Sequence, residues 1–364
     1  MFSYKKTTLL VFVLTLALVA EVTKADFTIG EPVNLGPSVN SSAADHNPSI
    51  SADGLELYFS SYRPGGSGDT DLWVTTRATT DDPWGEPANL GPTINSSGND
   101  GGPSISPDGC TLVFNSSRSG GYGNLDIWVT RRATRSDDWG PPVNLGPPVN
   151  SSAQEMAPNI SYDGLHLFFS DYTGGLRSGG FGRTDLWTSS RQTVTDPWEI
   201  PVNLGSTVNS SVHDLTPSIS ADGLMLFIMS NRSGGLGNMD IWVSTRTTKD
   251  DPWTVPVNLG AKVNSSSRDA GPDISADGRT LFFHSDRSGG FGILDIWQVS
   301  IDPIVDLNDD GIVDSLDMCI IIDNWGTDEP LCDIGPMPWG DGIVDVQDLI
   351  VLAEHLFEEV PPVE

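Results

Sequence analysis

One block of sequence recurs five times at a nearly fixed period, and this constrains the fold more than any other feature. An Asp-Gly pair stands at Asp53-Gly54, Asp108-Gly109, Asp163-Gly164, Asp222-Gly223 and Asp277-Gly278, in steps of 55, 55, 59 and 55 residues. Each pair is followed by a closing triplet, at Asp71-Leu72-Trp73, Asp126-Ile127-Trp128, Asp185-Leu186-Trp187, Asp240-Ile241-Trp242 and Asp295-Ile296-Trp297. Four extra residues between Tyr172 and Leu176 make the one longer step. A repeat of this length is a supersecondary unit that buries its faces only by stacking on its neighbours.

The pattern of a block is a Pro-Ser-Ile-Ser segment before the turn and Leu-x-Phe after it, as in Pro103-Ser104-Ile105-Ser106 and Leu112-Val113-Phe114. A Gly-rich hairpin, the Trp strand and a short Val-Asn-Leu-Gly segment complete the unit. Four short strands per block is the count of a propeller blade. The 39 Gly and 26 Pro fit many turns between short elements. The first Val-Asn-Leu-Gly copy, at residues 33–36, comes before the first turn, and the last block stops after Trp297 without one. The N-terminal strand is therefore expected to complete the last blade, which removes the open edges of the array. The expected fold is all-β: a five-bladed β-propeller over residues 27–302, followed by a small helical, EF-hand-like domain at 303–360.

Polar residues present in every blade are read first as blade architecture. Arg63, Arg118, Arg177, Arg232 and Arg287 precede the Gly-rich hairpins, and each is expected to brace its hairpin by pairing with the Asp of the closing triplet. The Asp of each Asp-Gly is expected to bond its own turn backbone. The Asn-Ser-Ser triplets beginning at Asn40, Asn95, Asn150, Asn209 and Asn264 match a glycosylation acceptor, yet their register with the blades favours a repeated turn. The acids Asp45, Asp100, Glu155, Asp214 and Asp269 are read as loop caps, with a cation or sugar hydroxyls as the other reading. A catalytic site has to break the five-fold pattern. Glu56, Glu155, His166, His213 and His284 do break it without forming a recognisable pair, so no catalytic residue is assigned.

A net charge of −30 disfavours nucleic acid and anionic membrane surfaces as partners. The start of the chain carries Lys5-Lys6, an apolar stretch at residues 9–20 and Thr23-Lys24-Ala25, the order of a secretory signal. Cleavage is expected after Ala25. The product is then exported to the cell surface, medium or periplasm, without membrane insertion. The three cysteines cannot form a dense disulfide framework. Cys110 is expected on a strand as a buried core residue, and Cys319 and Cys332 as a plausible bridge.

Residues 306–364 hold sixteen acidic residues and no Lys or Arg. The stretch from Asp306 to Asp317 has the spacing of a calcium loop: oxygen ligands at positions 1, 3, 5, 9 and 12, a carbonyl at 7 and Gly311 at 6. A second half, centred on Asp341, Asp345 and Asp348, lacks acids at positions 1 and 3, where Met337 and Trp339 stand.

Two resemblances follow. The Ser-x-Asp-Gly, Leu-x-Phe-x-Ser-x-Arg, Gly-Gly-x-Gly and Asp-Ile-Trp motifs resemble TolB-type, WD-like propeller repeats, which implies a recognition or scaffolding surface. The calcium loops, with Asp at position 12 and an apolar helix after it, resemble dockerins. That resemblance implies Ca2+ held by Asp306, Asn308, Asp310, Asp314 and Asp317 and the carbonyl of Ile312. In the second half it implies Asp341, Asp345, Asp348 and Ile343. It also implies a cohesin-like partner meeting Ser315, Leu316, Val346 and Gln347, in complexes that handle polysaccharide. A five-bladed glycoside hydrolase delivered by the same tail is the alternative reading.

Overall fold

The computed structural model describes residues 27–172, 177–308, 310–327, 329, 331–335 and 343–358. The expected leader, Met337, Trp339 and Asp341 lie outside these residues. The repeats form five antiparallel sheets of the same order. Four have four strands each, and the fifth also pairs with the N-terminal segment. In the first blade the strands run Asp45–Ile50, Glu56–Ser61, Asp71–Thr76 and Ala88–Asn89 from the axis outward. The fifth blade takes Asp269–Ile274, Thr280–Ser285 and Asp295–Pro303 from the C-terminal repeat, and its outer strand is Val33–Asn34, in register with Trp297 and Gln298. Phe27–Ile29 adds a second clasp against Ile301 to Pro303. The expected closure by the N-terminal strand is therefore present, and the ring has five blades.

Alternation along the second strand explains how each sheet buries both faces. Leu57 and Phe59 pack with Trp73 against Phe282 and Ile296 of the fifth blade. Tyr58, one residue out of phase, joins Leu72 in packing against Leu112, Phe114 and Trp128 of the second blade. Equivalent clusters fill the other three seams. Apolar burial between blades, at about 25 cal/mol per Å2, is thus the main force holding the ring.

The Gly-rich hairpin follows from close contact with the triplet Asp. Asp71 accepts from the N–H groups of Ser67 (2.5 Å) and Gly68 (3.1 Å) and from Asn89 Nδ2 (3.3 Å). A Cβ on Gly66 would lie 1.5 Å from its carboxylate, so only glycine fits there. Each Asp-Gly aspartate accepts the N–H two residues on, as at Leu55 and Cys110, which bears out the turn reading. The asparagines of the Asn-Ser-Ser triplets are buried. Asn40 bonds Asn34 Oδ1 and both main-chain groups of Ile296, so it is a turn anchor with no exposed amide for a glycan.

Two expectations need correction. Cys110 is half-buried on the turn before the strand Thr111–Ser116, because the Asp108-Gly109 turn extends through it. Cys319 and Cys332 are unbridged, with Cys319 exposed on a helix and Cys332 buried in the tail core. Among the described residues no helix is long and apolar enough to cross a membrane.

Candidate functional site

The innermost strands bring one side chain from each blade toward the axis: Ser49, Ser104, Asn159 and Asp273 line the channel, and Ser218 joins them through Asp273 and Ile274. These form a closed girdle. Each accepts the N–H of the isoleucine in the next blade, at 2.8–3.2 Å: Ser49 from Ile105, Ser104 from Ile160, Asn159 from Ile219, Ser218 from Ile274 and Asp273 from Ile50. Asp273 also accepts from Ser218 Oγ (3.2 Å) and Asn159 Nδ2 (3.4 Å). Burial pushes its carboxyl up to about 7, against the pull of these donors.

Above the girdle each inner strand bulges before its proline, with Asn47, Gly102, Ala157, Thr216 and Gly271 at positive φ. Three of these are not glycine, a strained choice that persists only where surroundings enforce it. Here the enforcing contact crosses the seam. The N–H groups of Gly102, Ala157, Thr216 and Asn47 donate to Ser60, Asn115, Ser170 and His284 Nδ1 of the preceding blade.

The ring of acids lies further out. Asp45 is fully buried and takes Arg63 Nη2 at 2.6 Å and Ser41 N–H at 2.6 Å. The same pairs join Arg118 to Asp100 (2.5 Å), Arg177 to Glu155 (2.7 Å), Arg232 to Asp214 (2.5 Å) and Arg287 to Asp269. The acids are therefore loop caps. This corrects the expected bracing pair: the arginine's carboxylate lies eighteen residues upstream, as in Arg63 and Asp45, while the triplet Asp serves the hairpin backbone. Each guanidinium also covers the triplet tryptophan, at 5.1 Å for Arg63 and Trp73. In the third blade Asp171 replaces the serine that bonds this arginine elsewhere. It is fully buried, 2.9 Å from Arg177 Nε, and burial pushes it up to about 7.

Of the symmetry-breaking residues, Glu56, His166 and His213 do not converge. Glu56 pairs with Arg132 at 3.0 Å, His166 sits half-buried beside Phe168, and His213 stacks on Tyr172. Among the described residues Asp273 is the one carboxylate lining the channel. Sequence reasoning missed it, although the signal is visible: Pro272-Asp273-Ile274 stands where three other blades read Pro-Ser-Ile.

The tail holds two nine-residue helices, Ser315–Asp323 and Val346–Glu354, each opened by the same capping box, Asp314 with Asp317 and Asp345 with Asp348. Val313 bonds the main chain after the second helix, at Phe357 and Glu358, and Val344 bonds it after the first, at Gly326 and Thr327. The halves thus clasp each other reciprocally around a core of Val313, Ile321, Val344 and Leu352. Ser315, Leu316, Val346 and Gln347 are exposed on the first turns of the helices.

The first loop offers oxygen donors only, the chemistry of a hard cation. Gly311 has φ +91°, as the sixth position requires, and Asp306 and Asp317 are buried. Their carboxylates accept the loop's own N–H groups: Asp306 from Asp310 and Gly311, and Asp317 from Leu307, Asn308 and Asp314. Among the described residues no three acidic, His or Cys side chains are gathered at a metal-binding spacing. The donors suit calcium, and a carboxylate oxygen that accepts a loop N–H keeps a second lone pair for a cation. Ile343 is exposed at the start of the second half.

No protein-family model matches the chain, and no curated protein matches it. Among solved structures the propeller is similar to TolB from Acinetobacter baumannii, at 16% identity over 71% of this chain, with a TM-score of 0.45. The match spans 54%, about half, of that TolB chain. It is similar to an α-L-arabinofuranosidase from Lactobacillus brevis, at 13% identity over 73% of this chain and 92% of that one, with a TM-score of 0.50. A GH43_1 enzyme from Xanthomonas citri aligns at 14% identity over 74% and 91% of the two chains, with a TM-score of 0.46. The likeness is one of fold.

Proposed function

We propose that the chain is an exported, non-catalytic recognition propeller, tethered by a calcium-ordered, dockerin-like tail to a cohesin-like partner in assemblies that handle polysaccharide. The carrying observation is the single channel carboxylate. Glycoside hydrolysis uses two carboxyl groups roughly 5–10 Å apart around the scissile bond. Among the described residues Asp273 has no second acid across the channel, and its oxygens are engaged by Ile50, Ser218 and Asn159.

The proposed organisation is a signal at 1–25, the propeller at 27–302 and the tail at 303–360. Calcium is proposed on Asp306, Asn308, Asp310, Asp314, Asp317 and the Ile312 carbonyl, with Asp341, Ile343, Asp345 and Asp348 as a weaker second set. The reciprocal clasp of the tail supports the duplicated partner face at Ser315, Leu316, Val346 and Gln347.

A five-bladed hydrolase is the second reading. It is favoured by the fold shared with the arabinofuranosidase and by Asp273, whose pKa of about 7 suits a general acid. Incubation with arabinoxylan, pectin and algal galactans decides between the two. No reducing-end release from any glycan is expected; release that vanishes in Asp273→Ala would establish the hydrolase. A pull-down with residues 1–364, run with calcium and with chelator, tests the tether by whether a partner is retained only with calcium.

A further inference from the structure

Several departures from five-fold repetition meet in one place, where the last blade closes on the first. His46 stands where the other blades carry Gly, Met, Leu or Ala. His284 stands where they carry Ser, Asn or Met, and Arg268 where they carry Ala, Asn, Gln or His. His46 is more than two hundred positions from Arg268 and His284 in the chain, and only ring closure joins it to them.

The rings of His46 and His284 are 5.8 Å apart and edge to face, and His46 lies 5.5 Å from Tyr62. His284 Nδ1 accepts the Asn47 N–H at 3.2 Å, so the proton of its neutral ring is on Nε2. Burial, aided by the charge of Arg268, keeps both rings neutral: His46 falls to about 4 and His284 well below the usual range. Arg268 is exposed. Its main-chain N–H bonds Asp286, and among the described residues its guanidinium forms no ion pair or ring contact. The neighbouring acid Asp45 is already taken by Arg63 and Ser61. The cluster therefore sets an exposed guanidinium and an exposed phenol around the half-buried His46, with His284 buried behind it against Asn47, which borders the channel depression. Asp286 acts on Arg268 electrostatically without an ion pair to it, and in a chain with net charge −30 the cation still marks the spot.

We infer that the seam between the fifth and first blades binds an anionic group, a carboxylate or sulfate, carried on a small polar ligand such as an acidic sugar unit. Arg268 takes the anion through its planar fork, and the faces of His46 and Tyr62 cover the ring beside it. The inference rests on the recognition reading and names the ligand class for it.

Calorimetric titration of the full chain with trigalacturonate, its methyl ester and sodium sulfate tests this in wild type, Arg268→Gln and His46→Gln. The acid is expected to bind at least tenfold more tightly than the ester. Arg268→Gln should abolish that preference with an unchanged melting temperature, and His46→Gln should weaken the sugar acid while leaving sulfate unaffected. Sulfate binding as tightly as trigalacturonate would overturn the sugar assignment. Equal binding of acid and ester, unaltered by Arg268→Gln, would overturn the anion site while the recognition reading stands. Cleavage of the oligosaccharide during titration would sink that reading instead, and the dependence of KM on Arg268 would still decide the anion site.

Discussion

The propeller and the tail are both built from duplicated sequence, yet they treat charge in opposite ways. In the propeller each buried carboxylate of the acid ring meets an arginine of its own blade, so the repeat neutralises itself. In the tail the repeated acids have no basic partner in sequence between residues 306 and 364, and they fold back on loop N–H groups and helix caps. The difference teaches where outside help is needed. The propeller closes on its own contacts, whereas the tail concentrates like charge that a cation would relieve.

The largest expected effect breaks the self-neutralised side. Arg118→Met leaves Asp100 buried without its counter-charge and should cost about 3–5 kcal/mol, measured by denaturant unfolding. A loss under about 1 kcal/mol would mean that the loop N–H bonds suffice. On the tail side, calcium at a hundredfold excess over Kd should stabilise the tail by about 2.7 kcal/mol, read from the helical circular dichroism of a chelator titration.

Asp273→Asn sharpens the comparison by removing the girdle's one titratable group while keeping an acceptor for Ile50. In the fold Asp273 stays protonated up to about 7, whereas unfolded it titrates near the ordinary carboxylate value. Unfolding then releases a proton, so this group's contribution to stability falls as pH rises from about 4 to 7. His46, held down to about 4, acts oppositely between about 4 and 6.5, since unfolding takes up a proton there. The stability of Asp273→Asn relative to wild type should therefore climb by about 1.4 kcal/mol per pH unit across that window. A flat difference would show that Asp273 is ionised in the fold. The smallest effect concerns the exposed link between the two regions: Arg279→Ala, which removes the 3.0 Å pair with Glu354, should cost about 0.2–1 kcal/mol and leave both melting transitions separate.

The blade count, the closing N-terminal strand and the Asp-Gly turns were legible in the sequence because each is set by order and local pattern. The partner of Arg63 was not, because Asp71 and Asp45 are both invariant in type or nearly so and sequence distance favoured the wrong one. Blade geometry turns Asp71 into the hairpin and brings Asp45 under the guanidinium. Asp273 escaped for a related reason. Its significance comes from neighbours contributed by other blades, 55 and 223 residues away for Ser218 and Ile50. The tail's two helices were expected after the calcium-loop pattern, while their capping boxes and the use of Asp306 and Asp317 on backbone N–H groups were not.

The most direct test of the division of labour is scanning calorimetry of the full chain in calcium and in chelator. Two transitions are expected, the smaller moving to higher temperature with calcium and the larger, from the propeller, staying in place. A single transition, or a propeller transition that moves with calcium, would contradict it.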